Sequence, residues 1–266
     1  MAGAVNNILY DGSPTIPTNA GTYAVTADFT PTDTANYNSL SAAAAGNFTI
    51  DKATPTLSVT NSPVTYNGSP QAADVTGSVP GAVSNILYDG SPTIPTNAGT
   101  YAVTADFAPT DSTNYNSLTA AAAGNFTIDK ATPTLSVTNS PVTYNGSPQA
   151  ADVTGSVPGA VSNILYDGSP TIPTNAGTYA VTADFAPTDS TNYNSLTAAA
   201  AGNFTIDKAT PTLSVTNSPV TYNGSSQAAA VTGSVTGAVS AILYDGSATE
   251  PTDAGPYAVT ADFADR

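Results

Sequence analysis

The stretch Thr100-Tyr101-Ala102-Val103-Thr104-Ala105-Asp106-Phe107 puts Tyr101, Val103, Ala105 and Phe107 on one side of an extended chain. Ala102, Thr104 and Asp106 fall on the other side. Alternation of this kind marks a β-strand with one buried face, because successive strand side chains point to opposite faces. Turn chemistry surrounds the strand. Val83 to Tyr88 forms a run that stops at Asp89-Gly90, and Pro92 and Pro95 then hold an extended connection whose missing N–H groups cannot join a ladder. Further upstream, Thr56-Leu57-Ser58-Val59-Thr60 alternates again, and Val64-Thr65-Tyr66 precedes Asn67-Gly68, a pair suited to positive φ at both turn centres. A run from Ala73 to Val79 closes at Pro80-Gly81, and Asn125-Phe126-Thr127-Ile128-Asp129 ends the series.

These segments make one unit of a tandem array. Residues 52–129 and 130–207 are identical letter for letter, and the block from Ile86 to Ser91 recurs from Ile8, Ile164 and Ile242. A fixed period this long defines the fold as repeated small domains. The expected division is 1–51, a partial repeat lacking the first strands, 52–129 and 130–207, two complete repeats, and 208–266, a partial repeat lacking the last strands. The fourth copy departs at Ala230, Glu250 and Pro256, where its sisters carry Asp, Ile and Thr. Since Met1 opens in mid-repeat, the chain reads as a fragment of a longer protein.

The expected fold class is all-β: a tandem array of small β-sandwich or β-grasp-like domains with a 78-residue repeat. The expected core of one unit is Leu57, Val59, Tyr66, Val75, Val79, Ile86, Tyr88, Tyr101, Val103, Phe107, Phe126 and Ile128. Ala120 to Ala123 reads either as a short helical turn, from the helix preference of alanine, or as a loop. Tyr101, after Asn97-Ala98-Gly99-Thr100, is either a tyrosine corner whose hydroxyl bonds back to upstream backbone or a plain core aromatic.

Composition narrows the function. The chain of 266 residues has 19 acidic and 4 basic residues, no His and no Cys, for a net charge of −15. Such a charge repels phosphate backbones and anionic lipid, so no nucleic-acid partner and no membrane insertion are expected. No apolar run approaches the ~18 residues of a membrane span. Without His or Cys the common bases and nucleophile dyads are missing, so no enzymatic activity is expected.

The segments Val64-Thr65-Tyr66-Asn67-Gly68-Ser69-Pro70, Pro95-Thr96-Asn97-Ala98-Gly99-Thr100-Tyr101-Ala102-Val103 and Phe126-Thr127-Ile128-Asp129-Lys130-Ala131 resemble the MBG-type (bacterial Ig-like, grasp-like) tandem repeats of large bacterial surface adhesins. The resemblance covers essentially the whole chain. It implies a mostly-β domain with a parallel pairing of first and last strands, repeated in an exported stalk, and it brings no active site.

Calcium, which takes roughly six to eight oxygen ligands, has candidate ligands in Asp106, Asp111 and Asn114, and in their equivalents Asp184, Asp189 and Asn192. No D-x-D-x-D-G pattern accompanies them, and no cofactor is otherwise expected. The one lysine of each unit, Lys52, Lys130 or Lys208, could form an isopeptide bond only if buried beside a protonated acid, and its place at the unit boundary points to an exposed hinge. Asn125-Phe126-Thr127 and Asn67-Gly68-Ser69 match glycosylation acceptors. Tyr115 could stack on a sugar or anchor its loop. Two functions follow: a structural stalk of a cell-surface adhesin projecting a distal binding region, or a multivalent module that binds carbohydrate or another cell weakly through each repeat. Partners are neighbouring repeats, with glycan or another cell surface in the second case, and the chain is expected to be an extracellular monomer. The short linker Asp129-Lys130-Ala131-Thr132-Pro133 predicts an elongated string of units.

Overall fold

A computed structural model describes residues 2–265 of the chain. Among them there are strands and turns but no helix. The first repeat supplies β1 (Gly3–Tyr10), β2 (Gly21–Pro31) and β3 (Leu40–Ile50). The second supplies β4 (Leu57–Val59), β5 (Val64–Thr65), β6 (Val75–Gly77), β7 (Gly81–Tyr88), β8 (Gly99–Pro109) and β9 (Leu118–Asp129). The third repeats this with β10 (Leu135–Val137), β11 (Val142–Thr143), β12 (Val153–Gly155), β13 (Gly159–Tyr166), β14 (Gly177–Pro187) and β15 (Leu196–Asp207). The fourth has β16 (Leu213–Val215), β17 (Val231–Gly233), β18 (Gly237–Tyr244) and β19 (Val259–Asp265). By compactness, the residues up to Thr134 join with Gly155–Ala160 and Phe185–Thr197 in one unit. Leu135–Thr154, Val161–Asp184 and the residues from Ala198 onward make the other.

In the complete second repeat, β5, β9, β8 and β7 form a four-stranded sheet in that order, and β4 pairs with β6 in a separate two-stranded sheet. The β7–β8 and β8–β9 pairs are antiparallel and β5–β9 is parallel, with Val64 opposite Ile128. A parallel pair to the last strand is therefore present. Its partner is the second strand, however, and not the first: Leu57–Val59 pairs antiparallel with Val75–Gly77. The core is what alternation predicts. Val103, Ala105 and Phe107 of β8 are buried, together with Phe126 and Ile128 of β9, Tyr88 of β7 and Leu57 of β4. Val59, Tyr66, Val75, Val79, Ile86 and Tyr101 pack against this cluster while half-buried. Ala73, just before β6, and Ala123 of β9 complete it. Tyr88 meets Phe126 edge-on, with ring centroids 6.2 Å apart, a geometry that suits the aromatic quadrupole.

The alanine run is neither helix nor loop. Ala120 to Ala123 lie inside β9, because pairing with Thr104 and Ala105 of β8 outweighs a helix preference worth less than about 1 kcal/mol per residue. The run carries the irregularity of the sheet instead. Register shifts accompany positive φ at Ala120 and Gly124 on β9 and at Asn85 on β7. The two turn signals also differ from one another. Asp89 and Gly90 both have positive φ, and Tyr88 and Ser91 exchange backbone hydrogen bonds across them, as in a two-residue hairpin turn. At Asn67-Gly68 only Gly68 has positive φ, and Asn67 instead accepts the Ser69 N–H on its Oδ1 at 2.9 Å.

Candidate functional site

Each repeat carries acidic and amide side chains at the same places, and the structure assigns most of them to the backbone. Asp106 points from β8 onto both neighbouring strands at their irregular positions. Its Oδ1 accepts the Ala120 N–H at 2.7 Å and its Oδ2 accepts the Asn85 amide at 3.3 Å. One carboxylate thus satisfies the backbone N–H at the β9 bulge and holds the side-chain amide of Asn85 at the β7 bulge. Asp184 repeats the arrangement with Ala198 and Asn163. Asp89 acts similarly, its Oδ1 accepting the Ala102 N–H at 2.9 Å.

Asp111 and Asn114 do come together, in the loop between β8 and β9. Asp111 Oδ1 accepts the N–H groups of Thr113 and Asn114, and its Oδ2 accepts the Asn114 side-chain amide at 2.8 Å. These bonds, the Asn114 amide first, hold the Asp111 carboxyl below its ordinary value of 3.8. Asp189 is lowered likewise by Asn192. Of the calcium candidates, then, Asp111 with Asn114 and Asp189 with Asn192 share a loop, while Asp106 and Asp184 are engaged at the bulges. Among the described residues no three of His, Cys, Asp and Glu are grouped to hold a metal ion.

The asparagine of this loop has a second role that sequence reading missed. Asn192 Oδ1 accepts the Ala98 N–H at 2.7 Å, and its Nδ2 also lies 3.3 Å from Asn97 Oδ1. Ala98 and Asn97 belong to the preceding repeat. The loop of one repeat therefore grips the Asn-Ala-Gly-Thr-Tyr corner of the repeat before it. Asn114 does the same to Ala20 and Asn19. The connecting segment is held as well. Ala131 donates to Asn192 O and accepts from Asn194 N, each at 2.9 Å, while Lys130 Nζ donates to Ser190 O. Ala53 and Lys52 make the same bonds to Asn114, Asn116 and Ser112. The lysines are thus exposed boundary residues, as expected, with an assigned task. An isopeptide bond has none of the burial it would need at Lys52 or Lys130.

Tyr193 completes the junction by meeting Tyr66 of the preceding repeat edge-on at 5.4 Å. Tyr115 is half-buried in the same loop position, its backbone paired with Ala53, so these tyrosines anchor their loops. Among the described residues Asn192 is the one polar side chain counted as buried, at 5% exposed. Asn114 is less covered, half-buried in the corresponding loop. The corner that receives the asparagine is itself fixed. Tyr101 donates its hydroxyl to Asn97 O at 2.8 Å, and Tyr23 and Tyr179 do the same to Asn19 and Asn175. Of the two readings of Tyr101, the corner is what forms. A signal for the junction existed in the sequence, Asp-x-x-Asn-Tyr recurring 78 residues apart, but nothing local shows that its partner lies one repeat away.

The sequence profile of the MBG domain matches the chain four times in tandem, over residues 1–54, 55–132, 133–210 and 211–266. No curated protein matches the chain, and no solved structure does.

Proposed function

Because the chain belongs to the MBG-domain family, we propose that it is a structural spacer, a stretch of stalk in a bacterial cell-surface adhesin that carries a distal binding region outside the cell. The junction is the observation that supports this reading. The same loop fastens the second repeat to the first through Asn114 and the third to the second through Asn192. A contact copied at two successive boundaries adds repeats in equal increments, which is what a spacer needs. The polar side chains that could have formed a ligand site are spent on backbone and junction; Tyr115, the candidate for sugar stacking, is paired through its backbone with Ala53, and its counterpart Tyr193 is engaged with Tyr66. Both facts favour the spacer over the multivalent carbohydrate- or cell-binding reading. We hold the chain to be non-enzymatic, with neighbouring repeats as its partners and no affinity for nucleic acid, given its net charge of −15 and absence of His and Cys. Small-angle scattering tests the proposal. A spacer should give a radius of gyration well above the ~18 Å expected for a compact globule of this length, and a value near ~18 Å would contradict it.

A further inference from the structure

The Asn67-Gly68 turn, between β5 and β6, is built differently from the other asparagine sites of its repeat. Asn61 donates its side-chain amide to Ala72 O at 2.9 Å, Asn85 to Asp106, Asn114 to Asp111 and Asn116 to Thr54 Oγ1. At Asn97 the following backbone N–H, that of Ala98, is taken up by Asn192 Oδ1. Asn125 lies within β9, where the next residue, Phe126, is aligned with Tyr101 of β8 and fully buried. Asn67 has none of these restraints. It is exposed, and among the described residues neither its Nδ2 nor the Gly68 N–H has a hydrogen-bond partner. Its Oδ1 accepts the Ser69 N–H at 2.9 Å, closing a turn in which the side chain folds back over the Gly68 peptide. Gly68, at φ +82°, has nothing within 4 Å of a would-be Cβ, so its nitrogen is open from that side. Asn145 and Asn223 accept from Ser147 and Ser225 in the same way, each at 2.9 Å, and precede Gly146 and Gly224 of like φ.

We propose that Asn67, Asn145 and Asn223 are sites of spontaneous deamidation in the folded chain, with water as the only co-reactant. The Gly68 backbone nitrogen, giving up its proton to solvent, attacks Cγ of Asn67. The bond from Cγ to Nδ2 breaks, Nδ2 leaves as ammonia, and a cyclic succinimide joins the two residues. The Ser69 N–H on Oδ1 steadies the negative charge which that oxygen gains during the attack, as an oxyanion donor does. Water then adds to one of the two succinimide carbonyls. Opening at one gives aspartate in an ordinary backbone, and opening at the other gives isoaspartate, whose backbone runs through the side-chain carbon. The sum is asparagine plus water going to aspartate or isoaspartate plus ammonia, with nothing oxidised or reduced. Each event adds one negative charge to a chain already at −15. At Asn67 the new charge arises next to Tyr66, whose ring meets Tyr193 of the following repeat at 5.4 Å, so it lies beside a junction contact.

The test is fragmentation mass spectrometry of the folded 266-residue chain after storage in warm buffer, alongside the same chain unfolded in urea. Residues 53–130 and 131–208 are identical, so trypsin releases Asn67 and Asn145 in peptides of one sequence and the two are read together. A gain of one mass unit should appear there and at Asn223 while Asn61, Asn97 and Asn116 keep their amides, and isoaspartate should accompany aspartate. In a chain with Gly68→Ala and Gly146→Ala, loss at Asn67 and Asn145 should slow by roughly tenfold, because a Cβ hinders the nitrogen and disfavours the left-handed turn. Asn223, whose turn is untouched, should keep its rate. Amides that survive in the folded chain but are lost in urea would overturn the proposal, since the native turn would then protect them. Equal loss at Asn61, an unchanged rate in the glycine variant, or aspartate without isoaspartate would overturn it too.

Discussion

At a single residue, the junction demands an amide. Asn192 must accept from the Ala98 N–H while donating to Asp189, and only a side chain with both an oxygen acceptor and N–H donors can do so. Asn192→Asp keeps the acceptor, loses the donated bonds and sets a second carboxylate against Asp189. It should destabilise the chain by about 1–3 kcal/mol in denaturant unfolding, the cost of unsatisfied buried groups. Asn36→Ala, at an exposed position that grips no preceding repeat, should cost within about 0.5 kcal/mol. Equal effects at both sites would remove the special place of Asn192. The same bond sets a pH dependence. Because the folded Asp189 carboxyl lies below its ordinary 3.8, its contribution is present above that value and lost as pH falls through the lowered one. The melting temperature should therefore drop on acidification below about pH 4, and less so in Asn192→Ala, which lacks the interaction. An identical acid profile for the two chains would contradict this origin.

At the scale of the element, two glycines show different constraints. Gly68 has φ of +82° with nothing near a would-be Cβ, so Gly68→Val meets only backbone strain, about 1–2 kcal/mol. A Cβ on Gly81 would lie 2.5 Å from Ala108 O and 2.5 Å from the Phe107 ring, which is buried. Gly81→Ala must shift β7 against β8 and should cost about 1–3 kcal/mol. Urea denaturation of the 266-residue chain with the change made in each repeat measures both. Strand β8 was legible because a period of two fixes its inward face whatever packs against it. Asp89-Gly90 was legible because positive φ at both centres is a local demand. The alanine run misled because its propensity is local whereas its structure is set by pairing with β8. Asp106 could not be placed from spacing, since its partners sit on two different strands. Asn114 was beyond reach for a related reason: its acceptor contact with Ala20 spans 94 residues, with no intervening pattern to announce it.

For the molecule as a whole, burial of the repeated core sets the order in which repeats open. Leu57 and Leu135 are 9% exposed in the second and third repeats, whereas Leu213 of the fourth is 37% exposed. Phe126 is fully buried and Phe48 is 44% exposed. A fully buried phenylalanine contributes about 1.5–3 kcal/mol over an exposed one, so the flanking repeats should open first. Hydrogen exchange should be slow in β8 and β14 and faster in β2 and β19. Uniform exchange in all four would contradict that ordering.

The coupling of repeat to repeat has its most direct test in two amides of identical local sequence. Ala98 and Ala176 both sit in Thr-Asn-Ala-Gly-Thr-Tyr within complete repeats, and both corners are closed by the tyrosine hydroxyl. Ala98 donates to Asn192 Oδ1 at 2.7 Å, while Ala176 is exposed with no loop upon it. Residue-resolved amide exchange by NMR, at a concentration where the chain is monomeric, should find Ala98 protected and Ala176 fast. In Asn192→Ala the Ala98 rate should rise toward that of Ala176. Equal exchange at the two positions in the unaltered chain would contradict a junction held by Asn192.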